Sequence, residues 1–210
     1  MKTLLLLSSG KFLNNDLTEY LGKPLSDFRI AHVINASKGK GVNDLSHLDR
    51  VRAIFKQNNC YFEDLDLDGK KEDDLRKIFS NFDAVFVNGG NTFYLLKSVR
   101  ESGFDKVIKE LLPKGFVYIG ASAGSCLACP TIETSLWRHQ EKYDHYGLTD
   151  LTGLNLVPFL ISVHYMPDYH DILKEKIFKA GYPTKILTDN QAILVKDGEI
   201  RLLGGEETVL

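Results

Sequence analysis

The sequence predicts an α/β fold, a mostly parallel sheet covered by helices on both faces with a C-terminal β-hairpin, and three observations predict it. Short apolar runs alternate with amphipathic stretches along the chain, as in successive βα units. Most of those runs are apolar at every position, as strands buried on both faces must be. Near the C-terminus, two further runs are separated only by Asp197-Gly198, the chemistry of a tight hairpin turn.

Taken in order, the strand candidates are Thr3–Leu7, Arg29–Ile34, Tyr61–Leu65, Ala84–Asn88 and Phe116–Gly120. Between Asn43 and Asn58, residues Leu45, Leu48, Val51, Ile54 and Phe55 recur at helical spacing on one face. Asp73–Phe79, Thr92–Arg100 and Phe104–Leu112 read as helices, the last stopped by Pro113. After Pro130 the alternation lapses, and Thr131 to Thr152 reads as a long polar and aromatic loop. Leu156–Val163 returns as a strand and Tyr169–Lys179 as a helix. Lys185–Thr188, Ala192–Lys196 and Glu199–Leu203 close the chain. No repeat or linker divides it, so a single α/β domain over residues 1–210 is expected.

With 43% hydrophobic residues in 210, the chain can bury a core without covalent staples. A net charge of −2 with scattered lysines and arginines gives no nucleic-acid or anionic-membrane surface. Three cysteines argue against a disulfide framework. Lys2 ahead of Leu4–Leu7 is too short a pattern for a signal peptide, and no run reaches the length of a membrane span. A cytoplasmic, soluble protein is expected.

Gly120-Ala121-Ser122-Ala123-Gly124 matches G-x-S-x-G and follows a strand, with a helix able to open from Ser125. That context suits a nucleophile elbow, where a sharp turn projects the serine hydroxyl and the helix N-terminus offers amides to an oxyanion. The same segment also fits a Gly-rich turn with a serine N-cap. Asn88-Gly89-Gly90-Asn91-Thr92 likewise follows a strand; its glycines permit a tight turn that presents N–H groups, while Asn91 or Thr92 can cap the next helix. Loops at the carboxyl ends of parallel strands meet in one crevice, which would bring Gly90 and Ser122 together. Of six histidines, His164 leaves a strand at that same edge and is best placed as general base.

Three segments, Val87–Leu96, Tyr118–Ser125 and Ala128–Ile132, together with His164-Tyr165, resemble peptidase E and the S51 serine peptidases, a family that includes cyanophycinases and shares a fold with class I glutamine amidotransferases. The resemblance implies Ser122 as nucleophile, His164 as base, and the backbone N–H groups of Gly90 and Ala123 as the oxyanion hole. Asn91, in the same glycine turn, is a candidate for substrate binding. At the position corresponding to the family's acid this chain carries Trp137. Glu133 is then the nearest carboxylate for the triad, with Glu141 and Asp144 behind it. Peptidase E binds an N-terminal aspartate with an arginine beyond the histidine. Here Lys174, Lys176 and Lys179 occupy that region, and Arg138 is the arginine that could reach in from the loop. Strict Asp-X specificity is therefore not expected.

Cys126-x-x-Cys129 lacks a second ligand pair and reads as packing, and His164, Asp168 and His170 fit no usual metal spacing. No metal and no cofactor are expected. The implied function is serine-type hydrolysis of short peptides, dipeptidase-like, through an acyl-enzyme. An esterase, amidase or cyanophycinase-like hydrolase on the same site is the alternative, and a binding module that has lost the chemistry is the reading from another class.

Overall fold

Side chains along the first strand, β1 (Thr3–Leu7), alternate between two cores, Leu4 and Leu6 facing one and Leu5 and Leu7 the other, all fully buried. The computed structural model describes residues 2–137 and 144–210. β2 (Arg29–Val33), β4 (Ala84–Val87) and β5 (Val117–Ala121) divide in the same way, Val85 and Val87 from Phe86, Tyr118 from Ile119. A strand that must be apolar on both faces loses its two-residue polar alternation, which is why these segments read as continuous apolar runs. Burying each such large side chain contributes about 1.5–3 kcal/mol before the entropy of ordering it.

The strand β3 (Tyr61–Leu65) lies at one edge and is mostly exposed, and accordingly carries Glu63 and Asp64. Two short strands, β6 (Leu160–Ser162) and β7 (Thr184–Ile186), pair in parallel as a separate small sheet. β8 (Ala192–Lys196) and β9 (Glu199–Leu203) complete the main sheet, whose order is β3-β2-β4-β5-β1-β8-β9. The first five are parallel, and β8 and β9 are antiparallel. In the β8–β9 turn Asp197 and Gly198 both have positive φ, 51° and 92°, as a type I′ hairpin turn requires.

Helices cover both faces. α1 (Thr18–Leu21) and α2 (Ser46–Gln57) bury Leu21, Val51, Ile54 and Phe55 on one side. α3 (Glu72–Phe79), α4 (Thr92–Ser102), α5 (Phe104–Leu111), α6 (Ala123–Leu127) and α7 (His170–Lys179) pack on the other through Leu75, Phe93, Phe104, Leu127 and Leu173. No helix among the described residues is long and apolar enough to cross a membrane.

The strand expected over Leu156–Val163 is shorter than its apolar run. The backbone N–H groups of Leu154, Asn155 and Leu156 donate to Leu127, Cys129 and Ala128, satisfying carbonyls at the end of α6. Pro158 brings no N–H at all. Only Leu160 to Ser162 remain for a ladder. Cys126 and Cys129 are buried thiols within this packing.

One buried polar chain runs toward the carboxyl ends of the strands. His32 is fully buried among the rings of Phe55, Phe62 and Phe86. Burial lowers its pKa and keeps it neutral. Its Nδ1–H donates to Asp64 at 2.8 Å and its Nε2 accepts from the Asn88 amide at 3.1 Å. Asn88 in turn accepts from the Gly89 N–H at 2.8 Å. The His32 hydrogen bond, opposed by burial and reinforced by Arg52, holds the Asp64 carboxyl at about 2 against an ordinary 3.8.

A depressed carboxyl pKa stabilises the fold above the ordinary value, and that stability is lost as pH falls toward the folded-state value. Asp64 should therefore contribute about 1 kcal/mol, or roughly 2–4 °C in Tm, lost between pH about 4 and 2. Thermal unfolding of Asp64→Asn across that window should show a shallower acid limb than the wild type. Parallel limbs would remove Asp64 from the acid response.

Candidate active site

The parallel strands β1, β4 and β5 end side by side, so the segments after Leu7, Val87 and Ala121 meet along one edge of the sheet. Ser122 lies between β5 and α6 with φ 53° and ψ −110°, in the left-handed half of conformational space that a residue with a Cβ enters only under constraint. The constraint is the approach of α6 to β4. A Cβ on Gly124 would sit 2.1 Å from the Val87 carbonyl oxygen, so only glycine lets the helix start this close to the strand. The Ser122 N–H donates to Leu7 O at 3.0 Å, which fixes the turn against β1.

His164 arrives from the small sheet. It lies two residues beyond β6, with φ 55°, and its backbone N–H donates to Ser8 Oγ at 2.7 Å. The Ser8 hydroxyl donates on to Leu187 O, just beyond β7. Ser122 Oγ is 2.8 Å from His164 Nε2, and His164 Nδ1 is 2.6 Å from Asp189 Oδ1. A carboxylate only accepts, so Nδ1 carries the proton in the neutral ring and Nε2 is left to accept from the serine hydroxyl. The His164 hydrogen bond, opposed by partial burial and aided by the charges of His164 and Lys11, holds the Asp189 carboxyl below the usual carboxylate range. Lys11 Nζ lies 3.4 Å from its other oxygen.

Ser122, His164, Gly90 and Ala123 line one cleft of about 260 Å³. The N–H groups of Gly90 and Ala123 have no hydrogen-bond partner among the described residues. Both residues line the cleft, and Ala123 opens α6. A serine hydroxyl on an imidazole, a carboxylate on the other ring nitrogen and two unbonded amides nearby are the parts from which an acyl-transfer site can be built.

Two sequence expectations are corrected by this geometry. The carboxylate on His164 is Asp189, whereas Glu133 sits in a one-turn 3-10 helix, Glu133–Leu136, and does not line the cleft. The reason is topological: β6 and β7 pair in parallel with Ser162 opposite Ile186, so the residues just beyond both strands emerge together. Asp144 is also elsewhere, its carboxylate receiving the Tyr146 N–H and lying 3.6 Å from Lys40 Nζ. Glu141 and Arg138 lie outside the described residues. Trp137, at the position corresponding to the family's acid, is buried in the core.

Asn91 is not a cleft residue. Its Oδ1 accepts from the N–H groups of Phe93 and Tyr94 as the N-cap of α4, and its amide donates to Lys40 O and Asp144 O. With all four bonds made inside a fully buried site, it has nothing left for a substrate. Sequence reasoning passed over three further residues. Asp189 follows the strand candidate Lys185–Thr188 and could have been found by the edge rule that selected His164. His47 and Arg50, on α2, both line the cleft, and no motif marked them.

Comparison with known proteins agrees with the architecture. The sequence pattern of peptidase family S51 matches residues 4–203. An uncharacterized peptidase of Pasteurella multocida is 28% identical over 209 residues, covering 98% of each chain. Peptidase E of Nostoc sp. is 28% identical over 230 residues, covering 100% of this chain and 88% of its own. Peptidase E of Escherichia coli is 42% identical over 93 residues, covering 43% of this chain and 38% of its own. A crystal structure of a candidate peptidase E from Listeria monocytogenes superposes with a TM-score of 0.82 at 25% identity, covering 98% of this chain and 100% of that one. The chain belongs to peptidase family S51 and is a serine-type peptidase.

Proposed function

We propose that this protein hydrolyses short peptides through an acyl-enzyme on Ser122, with His164 as general base and Asp189 as the orienting acid. The observation that carries the reading is the unbroken chain Ser122 Oγ–His164 Nε2 and His164 Nδ1–Asp189, at 2.8 and 2.6 Å. Ser122 Oγ attacks the peptide carbonyl as His164 Nε2 takes its proton, and the new oxyanion is met by the Gly90 and Ala123 N–H groups. His164 returns the proton to the departing amine. A water molecule then attacks the acyl ester with the same base, releasing the acid and restoring Ser122. Asp189 stays ionised throughout, holding the Nδ1–H tautomer and offsetting the imidazolium charge.

The cleft volume suits a few residues of substrate rather than a folded chain. Arg50 lines it and has no ion pair within 4.0 Å among the described residues; Asp44, also in the lining, accepts from the Ser46 N–H and hydroxyl and feels the Arg50 charge at longer range. A carboxylate of a short peptide is the complementary group for Arg50.

Three measurements test this. Fluorophosphonate should label the wild type at Ser122, and Ser122→Ala should abolish both labelling and peptide hydrolysis while keeping the fold; turnover by the purified mutant would exclude Ser122. Asp189→Asn should lower kcat by up to about 10⁴-fold, while Glu133→Gln stays near wild type; the reverse order would return the acid to Glu133. In a dipeptide library set beside p-nitrophenyl esters, Arg50→Gln should raise KM about three- to tenfold on carboxylate-bearing peptides with kcat kept. An equal KM in mutant and wild type would free specificity from Arg50, and ester turnover without peptide turnover would replace the peptidase reading by an esterase.

A further inference from the structure

We propose that His47, assisted by Ser37, is a positioning residue that aims the oxyanion hole, an inference that rests on Ser122 being the nucleophile and Gly90 an oxyanion donor. His47 lines the cleft, yet both ring nitrogens lie against groups of the protein itself. Nδ1 lies 3.0 Å from Asp44 O, and Nε2 lies 3.2 Å from Gly89 O and 3.0 Å from Ser37 Oγ. The Ser37 hydroxyl is itself within 3.3 Å of Gly89 O. In the Nε2–H tautomer His47 donates to Gly89 O directly; in the Nδ1–H tautomer it donates to Asp44 O, and the single Ser37 hydroxyl proton goes either to Nε2 or to Gly89 O.

The chemistry follows from peptide planarity. Gly89 C=O and Gly90 N–H belong to one trans peptide and point in opposite directions. Whatever holds the carbonyl back in the protein turns the N–H outward. The turn is clamped from its other end as well, because Asn88 holds the Gly89 N–H at the end of the buried His32–Asp64 chain. Beyond it, Asn91 N–H donates to Ala36 O at 2.8 Å. Gly90 has φ 137° and is pressed so close to this segment that a Cβ would meet Ala36 O at 2.3 Å. Of the amides from Asn88 to Asn91, Gly90 N–H alone has no acceptor among the described residues, and the peptide that carries it is held on its carbonyl side by His47 and Ser37. An oxyanion donor acts by being fixed before charge develops, so releasing Gly89 O should cost rate and leave ground-state binding alone.

The rate of inactivation by a fluorophosphonate reads this without knowledge of the substrate. Ser122 Oγ bonds to phosphorus, fluoride leaves, His164 takes the serine proton, and the phosphonyl oxygen gains negative charge in the same hole. His47→Ala should lower the limiting inactivation rate about ten- to a hundredfold, with the half-saturating probe concentration unchanged within about threefold. His47→Gln, which can again present an N–H near the place of Nε2, should recover most of that loss. Ser37→Ala should lose a few-fold, and the double mutant Ser37→Ala/His47→Ala more than either single one. A wild-type rate in His47→Ala, a weaker saturation at unchanged limiting rate, or no recovery in His47→Gln each overturns the proposal. Should His47→Ala fail to fold, a wild-type rate in Ser37→Ala overturns it instead. Absence of labelling in the wild type would defeat the Ser122 reading itself, an outcome distinct from all of these.

Discussion

The close seating of α6 on β4 is the contact on which the site depends. Where Gly124 meets the Val87 carbonyl there is no room for even a methyl group, and the chain can enter the helix only by turning through Ser122 at positive φ. Such a backbone costs on the order of 1–3 kcal/mol and persists only where its surroundings over-determine it. Here they do. The Ser125 hydroxyl, within reach of both Leu7 O and Gly120 O, and the Tyr118 hydroxyl donating to Gly124 O at 2.7 Å tie the turn to the sheet from beneath. These groups are buried, where an unmade hydrogen bond is expensive, so the turn cannot relax without several penalties at once.

Catalytic geometry on the other side of the cleft is assembled more lightly. β6 and β7 have three residues each, and their pairing carries both His164 and the Asp189 carboxylate on it. Ser8 supplies the link to the main sheet, accepting from the His164 N–H and donating to Leu187 O, and so couples the end of β1 to both small strands. His164 and Asp189 are each about two-fifths exposed, so their attraction is screened and works through direct hydrogen-bond geometry more than through long-range field. The rigidly held Ser122 thus faces a histidine mounted on a smaller platform, and the registration of the two rests on a few backbone and hydroxyl bonds.

The glycine turn after β4 is held by polar side chains on both sides. A neutral buried histidine, an asparagine and an edge-strand aspartate hold one end, while a second histidine and a serine hold the other. Buried polar chains of this kind stabilise little in net terms, but when every member is satisfied they select one conformation of the segment they bind. Conformation is what an oxyanion donor needs.

The amino-acid sequence by itself determined the α/β class, the positions of the parallel strands and hairpin, and the candidacy of Ser122 and His164. Those features are written in local chemistry: apolar runs at double-faced strands, Gly at a turn that excludes a Cβ, a histidine leaving a strand. It overextended the strand at Leu156, because backbone bonds to the end of α6 leave no mark in side-chain hydrophobicity. It set Asn91 among substrate-binding candidates because a cap and a ligand present the same amide. Tertiary structure alone decided that Asp189 is the carboxylate on His164, and that His47 and Arg50 enter the cleft from a helix on the opposite face of the sheet from α6. The physical reason is sequence distance. Parallel pairing of β6 with β7 and the packing of α2 join residues from separate segments, and no spacing along the chain encodes which strand ends will lie side by side.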